Sequence, residues 1–324
     1  MRIIIKKSIS AWAFTAGVML LTACSTPAPV PPAPPLGSGK SELPPVVQVP
    51  DQALPARPVP ERRQAHIGLA LGGGAARGFA HVGVIQVLEE AGLAPQLVAG
   101  TSAGSLVAAL YASGKTPQEL RRVAETMEEA EITDWQVPLL NRGALRGEAL
   151  SRYVNQQVGG KSIEHMKIPL GIVATDLRNG EAVTFRRGNT GSAVRASSAV
   201  PAVFVPVKIN DREYVDGGLV SPVPVRQARE MGANFVIAVD ISSDPEGNPA
   251  GDTFQILMQT FTIMGKSINN LALREADLVV RPALTGVKSA DFSARRRSIE
   301  AGRLAMLALL PQLRARLAAF ERGE

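Results

Sequence analysis

Short apolar runs alternate with segments of helical spacing along most of the chain. Ile67-Gly68-Leu69-Ala70-Leu71 is apolar and ends in glycines, and Phe79 to Ala91 follows with apolar residues at helical intervals. Leu97-Val98-Ala99-Gly100 leads in the same way into Ala103 to Ala112. Later runs are Pro169 to Ala174, Phe204 to Ile209, Phe235 to Val239 and Leu278 to Val280. Such runs, set between helical segments, predict buried strands of a mainly parallel sheet with helices on both faces, an α/β fold. Arg295 to Phe320, rich in Ala, Leu and Arg, predicts an amphipathic helix broken near Pro311.

The first 65 residues follow neither pattern. Arg2, Lys6 and Lys7 precede an uncharged apolar stretch, Ile9 to Leu21, which is short for a membrane span and reads as a secretory signal. It ends in Leu21-Thr22-Ala23-Cys24, which resembles the lipobox of bacterial lipoproteins. That resemblance implies cleavage before Cys24, diacylglycerol on its thiol and an acyl chain on the new amine. Several acyl chains on one residue give stable anchoring. Ser25 in place of Asp implies the outer membrane, facing the periplasm. Residues 25–65 hold 12 of the 24 prolines, so this segment is read as an extended tether with a reach on the order of 120 Å at ~3.1 Å per residue. The division is therefore a leader, 1–23; Cys24 and a Pro-rich tether, 24–65; and one folded domain, 66–324.

Composition narrows the function. The chain has 324 residues, 35 basic and 29 acidic, for a net charge of +6. Without the three basic residues of 1–23 the charge is +6 − 3 = +3, too small an excess to suggest a nucleic-acid partner. An aromatic content of 4% leaves little for base stacking. A single cysteine excludes a disulfide scaffold and argues against a cysteine-ligated metal.

Two glycine turns carry the candidate chemistry. Gly72-Gly73-Gly74-Ala75-Ala76-Arg77-Gly78 follows one strand and opens a helix, which suits backbone N–H groups converging on an anion. Gly100-Thr101-Ser102-Ala103-Gly104 follows the next strand and fits the nucleophile elbow, whose small residues let the chain turn sharply under an exposed serine. Ser102 needs a base. No histidine follows residue 165; His66 and His165 lie outside these turns, and His81 suits a packing role one turn into its helix. Among acids at strand ends, Asp176, Asp216 and Asp240 compete. Asp216 is favoured because Gly217 and Gly218 permit close approach of a substrate.

These motifs, in this order, together with Arg195-Ala196-Ser197-Ser198-Ala199-Val200-Pro201, resemble the patatin-like phospholipases. The bacterial branch, with Arg after the glycines, is similar to the catalytic region of neuropathy target esterase. The likeness is close over residues 67–230 and looser over 231–324. It implies a three-layer α/β/α fold and a Ser–Asp dyad with Ser102 as nucleophile and Asp216 as base. It further implies an oxyanion hole from the N–H groups around Gly73, Gly74 and Ala75, a loop supported by Arg77, and no metal or diffusible cofactor. The expected substrates are membrane lipids, cleaved as by a phospholipase A or lysophospholipase. An acyltransferase on the same dyad and a non-catalytic lipid-binding lipoprotein are the alternatives.

Overall fold

The structure, a computed structural model, describes residues 63–135, 142–246, 250–288 and 290–323. The leader, Cys24 and nearly all of the tether lie outside the described residues. The ten strands described are β1 (Ile67–Leu71), β2 (Leu97–Thr101), β3 (Gly143–Leu145), β4 (Leu170–Asp176), β5 (Ala182–Phe185), β6 (Ala202–Phe204), β7 (Val207–Ile209), β8 (Arg212–Asp216), β9 (Phe235–Val239) and β10 (Leu278–Val280). The helices are α1 (Ala80–Glu90), α2 (Ala103–Ala112), α3 (Pro117–Thr126), α4 (Glu129–Ile132), α5 (Glu148–Gln157), α6 (Thr190–Ser197), α7 (Val225–Glu230), α8 (Thr253–Ala272) and α9 (Arg295–Arg322).

The main sheet runs β10-β9-β1-β2-β4-β8-β7, with β5 also on β4. Its five strands from β10 to β4 are parallel, and β5, β8 and β7 join antiparallel. Side-chain size divides the two faces. Leu69, Leu71, Phe235, Ile237 and Val239 point into the large core shared with α1, α2 and α9. Ala70, Ala99, Val236 and Ala238 point the other way, and these smaller side chains receive the short helix α7 through Val225 and Ala228. Both faces are thus covered, in the three-layer α/β/α arrangement. The contacts divide the chain between Arg57 and Pro58, so residues 58–324 hold this core within themselves.

Two expectations are corrected. The run Phe204 to Ile209 is two strands, because Pro206 has no N–H to give a ladder. Before it, β6 pairs with β3 in a separate two-stranded sheet; after it, β7 forms the edge of the main sheet. The terminal helix is unbroken, since α9 runs through Pro311. The N–H that Pro311 lacks is outweighed by packing on both sides of it, where Ile299, Gly302 and Met306 before and Leu313 and Leu317 after are all buried. The crossing of α1 and α9 is glycine-dependent. A methyl group added to Gly83 would stand 1.9 Å from the Ile299 carbonyl oxygen, and one added to Gly302 would stand 1.9 Å from that of Ala80. Gly302→Val is expected to cost about 3 kcal/mol or more in denaturant unfolding, because backbone cannot yield as a side chain can. A loss under about 0.5 kcal/mol would mean that the helices separate freely.

Candidate active site

Ser102 sits between β2 and α2 with φ 51° and ψ −124°, a strained conformation for a residue with a side chain. Its neighbours require the turn to be bare. A methyl on Gly100 would lie 2.5 Å from the Gly104 carbonyl oxygen, and one on Gly104 would lie 2.2 Å from that of Leu71. The strain is held by hydrogen bonds to the Ser102 backbone. The Ser102 N–H donates to Ser197 Oγ at 2.8 Å, and its carbonyl accepts from the Ser105 N–H at 2.8 Å and hydroxyl at 2.6 Å.

Asp216 closes the constellation from the end of β8. Its Oδ2 accepts from the Ser102 hydroxyl at 2.7 Å, and its Oδ1 from the Gly218 N–H at 2.6 Å. Burial pushes the carboxyl up to about 6, against the opposing pull of those two bonds. The backbone of Asp216 is fixed as well: its N–H donates to the Ala199 carbonyl at 2.9 Å, and its carbonyl accepts from the Thr175 hydroxyl at 2.8 Å. The segment Arg195 to Pro201 therefore touches both partners, Ser102 through the Ser197 hydroxyl and Asp216 through the Ala199 carbonyl. The sequence exposes that segment as a motif but not that it ties the two together.

The glycine loop lies against the same turn. Gly72 and Gly73 donate their N–H groups to the Val239 and Pro222 carbonyls, at 3.1 and 2.9 Å. Gly73 is thereby removed from the expected oxyanion donors, because its hydrogen is already committed to the Pro222 carbonyl in the loop before α7. Gly74 and Ala75 donate to no partner among the described residues. Gly78 leaves room for Ala103, to which an added methyl would come within 2.8 Å, so the loop rests on the start of α2. Arg77 is buried beneath the loop, its Nε without a partner, and desolvation pulls its pKa down against the attraction of Asp240.

The other titratable candidates are engaged elsewhere. His81 is fully buried, and its Nε2 donates to the Gly72 carbonyl at 2.8 Å. Desolvation drives its pKa down to about 4, although the Gly72 bond and the Asp240 charge act in the opposite sense. It is a neutral imidazole that holds the loop; its buried Nδ1 has no hydrogen-bond partner, and the Ser102 hydroxyl donates to Asp216 instead. Asp176 is buried and accepts from Arg212 Nε at 2.6 Å. Asp240 accepts from the Ser242 hydroxyl at 2.6 Å and from Arg281 at 3.3 Å. His66 and His165 are exposed. His81→Gln can still donate to the Gly72 carbonyl and is expected to keep activity within about tenfold of the parent, an order of magnitude that hydrogen-bond rearrangement allows. A loss as large as that of Ser102→Ala would make His81 a proton acceptor.

Ser102 and Asp216 open onto a cavity of about 650 Å³. Its walls are almost wholly apolar, with Leu106, Leu110 and Met127 on one part and Phe254, Met258 and Phe261 of α8 on another. Among the described residues no three His, Cys, Asp or Glu side chains converge as metal ligands would.

Residues 69–229 match the patatin-like phospholipase family. This is a patatin-like phospholipase domain. An uncharacterised NTE family protein of Mycobacterium tuberculosis is 38% identical over 187 residues, which is 57% of this chain and 51% of the relative. The patatin-like phospholipase domain-containing protein 6 of Homo sapiens is 35% identical over 188 residues, 56% of this chain and 14% of that protein. The chain thus spans about half the length of the mycobacterial relative. The crystal structure of VipD from Legionella pneumophila shares the fold, with a TM-score of 0.50 at 17% identity over 78% of this chain and 68% of VipD. The patatin-like domain keeps the three ordered motifs within the matched stretch, and β9, α8, β10 and α9 follow it.

Proposed function

We propose that this protein is a serine-dependent lipid acyl hydrolase of the phospholipase A or lysophospholipase type. The observation that carries the reading is the 2.7 Å hydrogen bond from Ser102 to Asp216 at the wall of an apolar cavity. As the Ser102 oxygen attacks an ester carbonyl, its proton passes to Asp216. The carbonyl oxygen gains negative charge and is met by the unpaired N–H groups of Gly74 and Ala75. The protonated Asp216 then gives its proton to the departing alcohol, leaving an acyl chain on Ser102. Water, losing a proton to Asp216, attacks the acyl carbon; the bond to Ser102 breaks, the serine oxygen takes that proton back from Asp216, and the acyl group leaves as a fatty acid. The apolar walls suit an acyl chain.

The test is incubation of residues 58–324 with mixed bacterial phospholipids and lysophospholipids, with products read by mass spectrometry. Ser102-dependent release of fatty acid is expected. Transfer of the acyl group to an added alcohol without fatty acid release would make the enzyme an acyltransferase, and no product of either kind would leave a lipid-binding protein.

The lipobox-like Cys24 and the proline-rich segment support anchoring at the outer membrane, where the enzyme would meet lipids in two dimensions. Cys24→Ser should abolish incorporation of labelled palmitate in cells. Palmitate retained by that variant would contradict the anchor.

A further inference from the structure

Helix α8 is apolar on two sides. Phe254, Met258 and Phe261 line the catalytic cavity. Ile256, Ile263, Met264 and Leu271 do not; they stand 54%, 50%, 49% and 66% exposed, along a stripe that repeats about every seven residues. Of ten large apolar side chains left exposed among the described residues, six lie on α8 and a seventh is Trp135, at 74%. Trp135 is bridged to Leu145, itself a residue of the cavity wall. Seven of these ten side chains therefore belong to, or are attached to, the elements that enclose the reacting centre.

The rest of α8 points the same way. Residues 253–272 include no Asp or Glu and one Lys. Only Asn269 is buried, and neither of its amide atoms has a partner; Gln259 donates to the Pro245 carbonyl at 2.7 Å and Lys266 pairs with Asp244 at 3.2 Å, both in the segment before the helix. A helix apolar on both sides calls for apolar surroundings on both. The cavity supplies one, and water is a poor second.

We propose that the outer face of α8, with Trp135, docks on a lipid surface, so that acyl chains pass from the bilayer across the rim of α8 into the cavity. The inference rests on the lipid-hydrolase reading for its occupant. Three features on this face fit lipid. It is continuous with the wall of the cavity that holds Ser102. Residues 253–272 of α8 carry no acidic side chain that anionic headgroups would repel. The tryptophan of this face suits the level where headgroups meet acyl chains. A protein seated on the same stripe would instead cover the rim that a lipid has to cross.

Residues 58–324 give a clean assay, because the chain's two tryptophans are Trp12 and Trp135 and only the second remains. The probe is a vesicle of phosphatidylethanolamine with a minority of phosphatidylglycerol. The parent fragment should co-sediment with the vesicles, and Trp135 emission should shift to the blue. The variant Ile256→Ser/Ile263→Ser/Met264→Ser/Leu271→Ser should partition at least about tenfold less, since four apolar contacts with lipid are lost. Its hydrolysis of vesicle lipid should fall in step, while its hydrolysis of soluble p-nitrophenyl butyrate stays at the parent's level. Equal partitioning of variant and parent, or a parent that does not partition, would overturn the proposal. So would a parent dimer that the variant dissociates, which would make the face a contact between copies. α8-dependent vesicle binding without hydrolysis of any ester would instead remove the hydrolase reading and leave the docking face standing.

Discussion

Asp216→Asn is expected to reduce ester hydrolysis by about ten-thousandfold and, at the same time, to make the protein more stable at neutral pH. The activity loss follows from geometry. Asparagine can keep the bond from the Gly218 N–H on Oδ1, but its Nδ2 then stands where Oδ2 accepted the Ser102 hydroxyl and can only donate, so it cannot take the serine proton. The stability gain follows from the direction of the shift. Burial raises the Asp216 carboxyl from 3.8 to about 6, so the folded state holds a proton that the unfolded state has already released. Below about pH 4 both states are protonated and the charge costs nothing. Between about 4 and 6 the cost of the buried carboxylate grows, and above 6 it is present in full, at about 3 kcal/mol from a shift of this size. The variant's advantage in thermal unfolding should therefore be small at pH 4 and largest above pH 6. The parent's activity should fall as pH drops through about 6, where the base becomes protonated. An Asn variant that is active, or less stable than the parent at pH 8, would remove Asp216 from the role of buried base.

Ser102→Ala should lose at least as much activity while keeping the fold. Alanine adopts the same strained φ of 51° no more easily than serine, so the turn gains nothing from the change. The bonds from the Ser102 backbone to Ser197 and Ser105 survive. What disappears is the hydroxyl that donates to Asp216 and that, in the proposed reaction, attacks the ester. Because the two residues act as a unit, the double variant Ser102→Ala/Asp216→Asn should be no slower than either single one. Losses that multiply would mean that the residues contribute to separate steps. Residual activity near the parent's would place the nucleophile elsewhere.

Most of the sheet was legible because its strands are buried on both faces. Ile67–Leu71, Phe235–Val239 and Leu278–Val280 are uninterrupted apolar runs, and Ala103–Ala112 has the spacing of the helix it forms. The turns around Ser102 and Asp216 were legible where close packing excludes a side chain, as at Gly100, Gly104 and Gly217. The remainder was hidden for identifiable reasons. Gly73 cannot be separated from Gly74 and Ala75 by composition, since only the Pro222 carbonyl decides which N–H is spent. The bracing by Ser197 depends on the end of α6 meeting the turn between β2 and α2, a contact across 95 positions. Pro311 reads as a break until the packing of Gly302 and Gly83 is seen to hold the helix through it. α8 escaped because apolar residues on two of its sides blur the helical period on which the reading depends.

The central claim is that Ser102, activated by Asp216 and by no histidine, attacks the acyl carbon. A fluorophosphonate probe reports on that attack without any choice of lipid. Its rate of labelling should be measured against pH on residues 58–324, with the adduct mapped by peptide mass spectrometry. The adduct is expected on Ser102, forming faster as pH rises through about 6 in both the parent and His81→Gln, and at a small fraction of that rate in Asp216→Asn. Labelling of another residue, or a rate abolished in His81→Gln and retained in Asp216→Asn, would contradict it.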